Sequence, residues 1–256
     1  VRGSDILNGR RKCRNCGCNG NMGAIKYRYS SSGNERKRKI VQFDESVRSE
    51  DFFDLLEDCD GHIVKKLSLI NGAVILVDDE EYEKVRSVVG TRAGIIAVED
   101  DIVLRANDET SFEVQTLDEE IRGYSNMAPW DVIQIAACNI ENCGENVNIG
   151  VIDTGIDSRH PLLRGKVKGS YTVVRPVGNV MDDNGHGTHV AGTICADRSG
   201  RGVFGIAPKA NLYNIKVLDR NGAGNLSDMI DGMQWCLDNG IRLVNLSLSP
   251  TEENSI

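Results

Sequence analysis

Two residues 33 positions apart carry the strongest chemical signal in this sequence. Asp153 stands at the carboxyl end of the apolar run Val147-Asn148-Ile149-Gly150-Val151-Ile152, and His186 lies within Asn184-Gly185-His186-Gly187-Thr188-His189. A carboxylate withdrawn from water beside an imidazole fixes the tautomer through Nδ1, which leaves Nε2 free to act as general base toward a hydroxyl nucleophile. Such a pair is two thirds of a catalytic triad.

The pair needs elements to position it. The run ending at Asp153 reads as a strand over Asn148–Ile152, and two more strands are expected at Leu212–Leu218 and Ile241–Leu248. A helix capped by Ser227 and stopped by Asn239-Gly240 joins the last two, with Ile230, Met233 and Leu237 on its apolar face. Strands alternating with helices imply a parallel sheet covered on both faces, and sites in such sheets assemble at the carboxyl rim of the strands. The glycines around His186 permit a tight start to a second helix, and Ala191 and Gly192 allow that helix to pack closely. This unit is expected to begin near Pro129-Trp130.

Residues 38–106 have a different rhythm. An apolar run Lys39–Phe43, a helix Ser49–Asp58 capped by Ser49, extended segments His62–Leu69 and Ala73–Val77, a helix Glu80–Val89 and a strand Ile95–Val98 give the order β-α-β-β-α-β. Asn71-Gly72 reads as the turn between the two middle strands, since both residues accept positive φ cheaply. The acidic run Asp78–Glu81 suits a helix start. This split β-α-β layout is ferredoxin-like and α+β, and it states a fold but no activity. Residues 107–126, with Asp108, Glu109, Asp118, Glu119 and Glu120 among few apolar side chains, read as an exposed linker.

The motifs D-T-G-I-D at 153–157, H-G-T-H-V-A-G-T at 186–193 and G-I-A-P at 205–208 resemble those of the subtilisin-like serine proteases, in the same order. The resemblance implies catalytic roles for Asp153 and His186, and structural roles for His189 and for His160 in the turn Ser158–Pro161. It also implies that Leu218, Gly222, Ala223 and Gly224 line one wall of a substrate cleft and Ser247 and Leu248 the other, pairing with an extended peptide by strand addition. Ser249-Pro250 stands where the family has glycines. Residues 38–106 resemble the family's propeptide, an inhibitory folding assistant that contacts the catalytic domain. The implied organisation is a basic, Cys-containing disordered tail (1–37), the propeptide unit (38–106), the linker (107–126) and the amino-terminal half of a catalytic domain (127–256). The expected fold class is therefore α/β: a partial, truncated doubly wound parallel sheet preceded by the smaller α+β unit.

Two parts of the family pattern do not occur in residues 1–256. The family's serine sits in a G-T-S-x-A-x-P setting, and an asparagine side chain donates to the oxyanion; neither motif is present. The expectation is of a precursor fragment of a subtilisin-like endopeptidase, inactive as residues 1–256 alone. The alternative is a non-catalytic protease inhibitor or one half of a split protease. No cofactor and no metal site are expected, the alternative being a weak calcium ion held by backbone carbonyls of the Asp197–Val203 loop. A family calcium site is disfavoured because Leu162 replaces an aspartate ligand, Ser199 replaces an amide ligand and the Asp197–Val203 loop carries little charge.

Composition narrows the classes further. The 256 residues are 40% hydrophobic and 27% charged, with no run of about 18 apolar residues that could span a bilayer and no secretory h-region. Because the sequence opens on Val1, there is room for an upstream start carrying an export signal. Residues 1–39 hold 11 Lys/Arg against 2 Asp/Glu, which leaves 19 against 36 for the remainder. An acidic body repels phosphate, so no nucleic-acid partner is expected for it; the family resemblance implies a peptide or protein substrate. The eight cysteines form no disulfide framework. Cys13, Cys16 and Cys18 lack a fourth zinc ligand nearby, and Cys195 and Cys236 read as buried helical thiols. The family resemblance points to secretion and the cysteine usage toward the cell interior, so compartment stays open. Gly200-x-Gly202-x-x-Gly205 lacks the strand-turn-helix setting of a dinucleotide site.

Overall fold

The computed structural model describes residues 35–57, 62–90, 94–107, 142–174, 178–197 and 204–251. The basic tail with Cys13, Cys16 and Cys18, the cysteines Cys59 and Cys138, the acidic segment from Asp108, and Ser199 lie outside them.

Alternating and apolar strand residues build the amino-terminal unit from β1 (Lys37–Phe43), α1 (Phe52–Glu57), β2 (His62–Leu67), a 3₁₀ turn (Ser68–Ile70), β3 (Gly72–Val77), α2 (Asp79–Ser87) and β4 (Ile95–Asp100). The sheet is antiparallel in the order β2-β3-β1-β4. Val41, Phe43, Ile75, Val77 and Ile95 on the sheet bury against Phe52 and Leu56 of α1 and Val85 of α2. Phe43 and Phe52 stack with centroids 4.0 Å apart. Asp78 caps α2 through a reciprocal box: its carboxylate accepts from Glu81 N–H, and the Glu81 carboxylate accepts from Asp78 N–H.

Two local expectations change here. Ser49 does not cap α1, which starts at Phe52. The link between β2 and β3 is a 3₁₀ turn closed by Asn71 at φ 47°, while Gly72 is the first residue of β3. Gly72 serves close approach instead of positive φ, because a Cβ there would lie 2.6 Å from the Val41 carbonyl oxygen of the neighbouring strand.

β5 (Val103–Ala106) leaves this sheet and runs into the second unit. That unit contains β6 (Asn148–Asp153), β7 (Val167–Thr172), α3 (His186–Cys195), β8 (Asn211–Lys216), β9 (Ala223–Asn225), α4 (Leu226–Asp238), β10 (Leu243–Asn245) and β11 (Leu248–Pro250). A parallel sheet runs β10-β6-β8-β7. Side chains alternate along β6: Ile149 and Val151 pack with Ala191 and Cys195 of α3, whereas Ile152 packs with Cys236 of α4. The sheet is thus covered on both faces, and the same alternation turns Asp153 toward the α3 side.

The segment expected as one strand over Ile241–Leu248 is split. β10 stays in the parallel sheet, while β11 joins a separate antiparallel sheet in the order β11-β5-β9. Ser227 does not cap α4; Asn225 holds that position and makes no side-chain bond to the helix. Ile230 is buried but Leu237 is 53% exposed, so the apolar face of α4 is shorter than its sequence suggests. A Cβ at Gly192 would meet no neighbour within 4 Å, so close helix packing does not require glycine there.

Candidate active site

Asp153 ends β6 with its side chain fully buried. Its Oδ1 accepts from Thr154 N–H at 2.6 Å, and Nδ1 of His186 lies 2.8 Å from Oδ1 and 3.0 Å from Oδ2. Burial pushes the Asp153 carboxyl above its ordinary value, and the hydrogen bonds from His186 and Thr154 pull the other way. His186 opens α3 with a side chain 12% exposed, so one face of the imidazole pair remains within reach of solvent.

Gly187 makes this contact possible. A Cβ there would lie 2.2 Å from the Gly155 carbonyl oxygen and 3.1 Å from Asp153 Oδ1. Any larger residue would force α3 off the end of β6. The first N–H groups of α3 find side-chain acceptors: His186 N–H donates to Asn184 Oδ1 at 3.1 Å and Gly187 N–H to Thr154 Oγ1 at 2.9 Å.

Lys216, which the family resemblance puts in the strand beside the cleft, stands at the end of β8 opposite Asp153. Its side chain is 1% exposed, and its ammonium donates to Asp183 Oδ1 at 2.7 Å, to the Leu218 carbonyl at 3.1 Å and to the Thr154 carbonyl. A lysine inside an apolar strand was the available signal, because buried ammonium groups require partners. His189 is exposed instead of packed, and His160 sits in its turn with N–H donating to the Asp157 carbonyl.

The expected cleft residues surround β5. Leu104 and Arg105 of β5 pair with Gly224 and Ala223 of β9, and Arg105 and Ala106 pair with Ser249 and Leu248 of β11. Beyond the paired residues, Ala106 N–H donates to the Gly222 carbonyl at 2.8 Å and Asn107 N–H to the Ser247 carbonyl at 3.1 Å. Pro250 tolerates its place at the end of β11 because Thr251 N–H makes the next bond, to the Val103 carbonyl. Leu218 lies beneath this groove in the core, under Gly224. The groove and the pair are adjacent: Gly222 approaches both Ala106 and Asn184, and Asn184 accepts from the His186 backbone.

Outside the groove, Asp101 reaches α4. Its carboxylate, fully buried, accepts from Ser227 N–H at 2.9 Å, Ser227 Oγ at 2.8 Å and Arg38 Nε at 2.7 Å. Lys65 of β2 pairs with Asp228 and Asp231 of α4. The cap that Ser227 was expected to supply therefore comes from the other unit. Between these polar contacts Ile40, Leu67 and Val74 bury against Ile230.

Among the described residues no group of three or more His, Cys, Asp or Glu is placed to hold a metal ion. In the calcium region the Leu162 carbonyl accepts from Asp197 N–H at 3.0 Å. None of the described helices is long and apolar enough to cross a membrane.

By fold the second unit is a subtilisin-like α/β sheet. The crystal structure of fervidolysin from Fervidobacterium pennivorans, a keratinolytic enzyme related to subtilisin, superposes with a TM-score of 0.64 at 24% identity, over 84% of this chain and 36% of that one. Residues 144–256 match the subtilase family, Peptidase_S8, and this part of the chain belongs to it. The chain is 33% identical over 202 residues to the minor extracellular protease Epr of Bacillus subtilis, covering 78% of this chain and 30% of that protein. It is 32% identical over 208 residues to subtilisin E of the same organism, covering 79% and 49%. A thermostable alkaline protease of Halalkalibacterium halodurans is 41% identical over 134 residues, 51% of this chain and 36% of the relative. The chain thus spans less than half the length of each of these relatives.

Proposed function

We propose that residues 127–256 carry the aspartate and histidine of a subtilisin-like serine endopeptidase, with the nucleophilic serine supplied by sequence outside residues 1–256. The observation that carries this reading is the 2.8 Å contact between His186 Nδ1 and the buried Asp153 carboxylate. With Asp153 ionised, Nδ1–H donates to it and Nε2 keeps its lone pair. Nε2 takes the proton from the serine hydroxyl as that oxygen attacks a peptide carbonyl, then delivers it to the departing amine as the C–N bond breaks. Water, losing a proton to Nε2, hydrolyses the acyl ester and the hydroxyl is restored. Oxyanion donors also come from outside residues 1–256.

Gly222, Ala223, Gly224, Ser247 and Leu248 would hold the substrate by strand addition, with Leu218 as the floor. The seating of β5 between β9 and β11 supports residues 38–106 as a propeptide that blocks the cleft until the linker, between about Asn107 and Met127, is cut. On this reading residues 1–256 alone do not hydrolyse peptides. Hydrolysis of casein by the purified chain, abolished by His186→Ala, would overturn that. An extracellular place of action, which the name of one relative states for that protein, belongs to the same proposal; mature protein in the culture medium is the expected result.

A second reading is favoured by the same β5 contacts: residues 38–106 act as an inhibitor of another protease, or the chain completes a split enzyme with a second polypeptide. Reading the coding sequence beyond the Ile256 codon separates the two. A serine in frame within G-T-S-x-A-x-P supports the endopeptidase; a stop codon there selects the inhibitor or split enzyme.

A further inference from the structure

The carboxylate that touches the most elements of the site is neither Asp153 nor Asp183 but Asp182. Its Oδ1 accepts from Thr154 Oγ1 at 2.9 Å, Asn184 N–H at 3.0 Å and Gly185 N–H at 2.9 Å. Its Oδ2 accepts from Thr188 N–H at 2.9 Å and Thr188 Oγ1 at 2.6 Å. Three pieces of chain meet there: the residue that follows Asp153, the loop before α3, and the first turn of α3. Thr154 closes the circuit, since its Oγ1 donates to Asp182 and accepts from Gly187 N–H. Thr188 Oγ1 extends it by accepting from Asp157 N–H at 2.9 Å.

α3 needs this help. Its first position is preceded by Gly185, which has no side chain to cap the helix, and the glycine at 187 removes side-chain packing where α3 meets β6. The orientation of His186 relative to Asp153 is therefore not fixed by apolar contacts at that end. We propose that Asp182 is a positioning residue of the site: acting through Thr154 and Thr188, it clamps the end of β6 to the start of α3 and so sets the Asp153–His186 hydrogen bond.

The charge state agrees with this role. Burial works against the ionised carboxyl, yet the bonds from Gly185, Thr188 and Asn184 outweigh it and hold Asp182 below the ordinary carboxylate value. An asparagine of the same shape could not reproduce the contacts. Its amide nitrogen would point hydrogens at N–H donors, and each carboxylate oxygen here receives at least one backbone N–H.

The inference rests on the Asp153–His186 reading, and a measurement on the full 1–256 chain tests both without requiring hydrolysis. The probe is the His186 Nδ1 proton, observed by NMR downfield of the amide region in histidine-labelled protein and assigned by its loss in His186→Ala. Wild type is expected to give a slowly exchanging signal. Asp182→Asn is expected to accelerate its exchange by about tenfold or to abolish the signal, the factor that one lost charge-assisted hydrogen bond represents. The circular dichroism spectrum and melting cooperativity should stay native. Should Asp182→Asn fail to fold, Thr154→Val decides, because it keeps the branched shape while removing the hydroxyl that joins Asp182 to Gly187. A folded variant of either kind with wild-type exchange overturns the positioning role. Absence of any His186-dependent signal in wild type overturns the Asp153–His186 reading itself, and the clamp with it.

Discussion

The two halves of the candidate site are built on opposite principles. At the Asp153–His186 end, side chains do the work: the buried Asp153 and half-buried Asp182 carboxylates take their imidazole, hydroxyl and backbone donors from residues 153–188. In the groove, backbone does the work: β9 (Ala223, Gly224, Asn225) and β11 (Leu248, Ser249, Pro250) present ladder groups to β5. The comparison teaches that the chemical pole is a local construction, whereas the groove is filled by a strand, β5, more than 100 residues away in sequence from both of its walls. On the proposed function, a strand seated by its backbone in this way is what another extended peptide would replace. Two fully buried carboxylates make the contrast sharp. Asp153 is satisfied within its own unit, and Asp101 is satisfied by bridging both.

The largest expected effect breaks the bridging side. Asp101→Ala removes the acceptor of Arg38 Nε and of two Ser227 donors, leaving the guanidinium only its Nη2 bond to Ser227 Oγ, and truncating one partner of a buried pair costs about 3–5 kcal/mol. Urea titration of the full chain should show this loss, and exposure of the amino-terminal unit to limited proteolysis should accompany it. Next comes the pole. Gly187→Ala puts a methyl group against the Gly155 carbonyl, and overpacking of this kind costs about 1–3 kcal/mol. Its distinguishing sign is loss of the His186 Nδ1 signal even where the chain still melts cooperatively.

Lys65→Met should cost less, about 1 kcal/mol or below, because the Lys65 pairs with Asp228 and Asp231 are each roughly a quarter exposed. Raising the salt concentration should shrink the wild-type advantage over Lys65→Met and leave the Asp101→Ala deficit almost unchanged. A salt-sensitive Asp101→Ala deficit would place that carboxylate at the surface.

The smallest net effect concerns acid, because two carboxylates of the pole titrate in opposite senses. Asp182 is held below 3.8, so its contribution is present above that ordinary value and is lost as pH falls through its lowered folded value. Asp153 is raised above 3.8, so in the window between 3.8 and its folded value the native state binds the extra proton and stability declines as pH rises. Denaturation curves across the acid range should lose the first slope in Asp182→Asn and the second in Asp153→Asn. Identical slopes in both variants would contradict the assignment.

Much of the pole was legible in the sequence. A strand ending in Asp153, a glycine-flanked His186 on a helix start and small residues after it are signals that act over a few residues, and local backbone geometry is what they encode. The same holds for the Asp78–Glu81 box and for the helical thiols Cys195 and Cys236, both buried, with burial pushing the Cys236 thiol up to about 11. Two of the misread positions are places where a distant group overrode a local preference. Ser227 has the composition of a cap but serves as a donor to Asp101, 126 residues away. The run Ile241–Leu248 has the composition of one strand but is divided between two sheets, because its last residues find β5 as a partner.

The sequence by itself determined which residue types could do acid–base chemistry and on which elements they would sit, since periodicity, glycine placement and capping chemistry are properties of neighbouring residues. Only the tertiary structure decided that Asp182 and Lys216 belong to the site, that Asp101 caps a helix of the other unit, and that β5 lies in the groove. The last two depend on satisfying a buried charge or an open ladder edge with groups more than 100 residues away, and the first two on the end of β6 meeting the loop before α3, so none of them is set by adjacent residues alone.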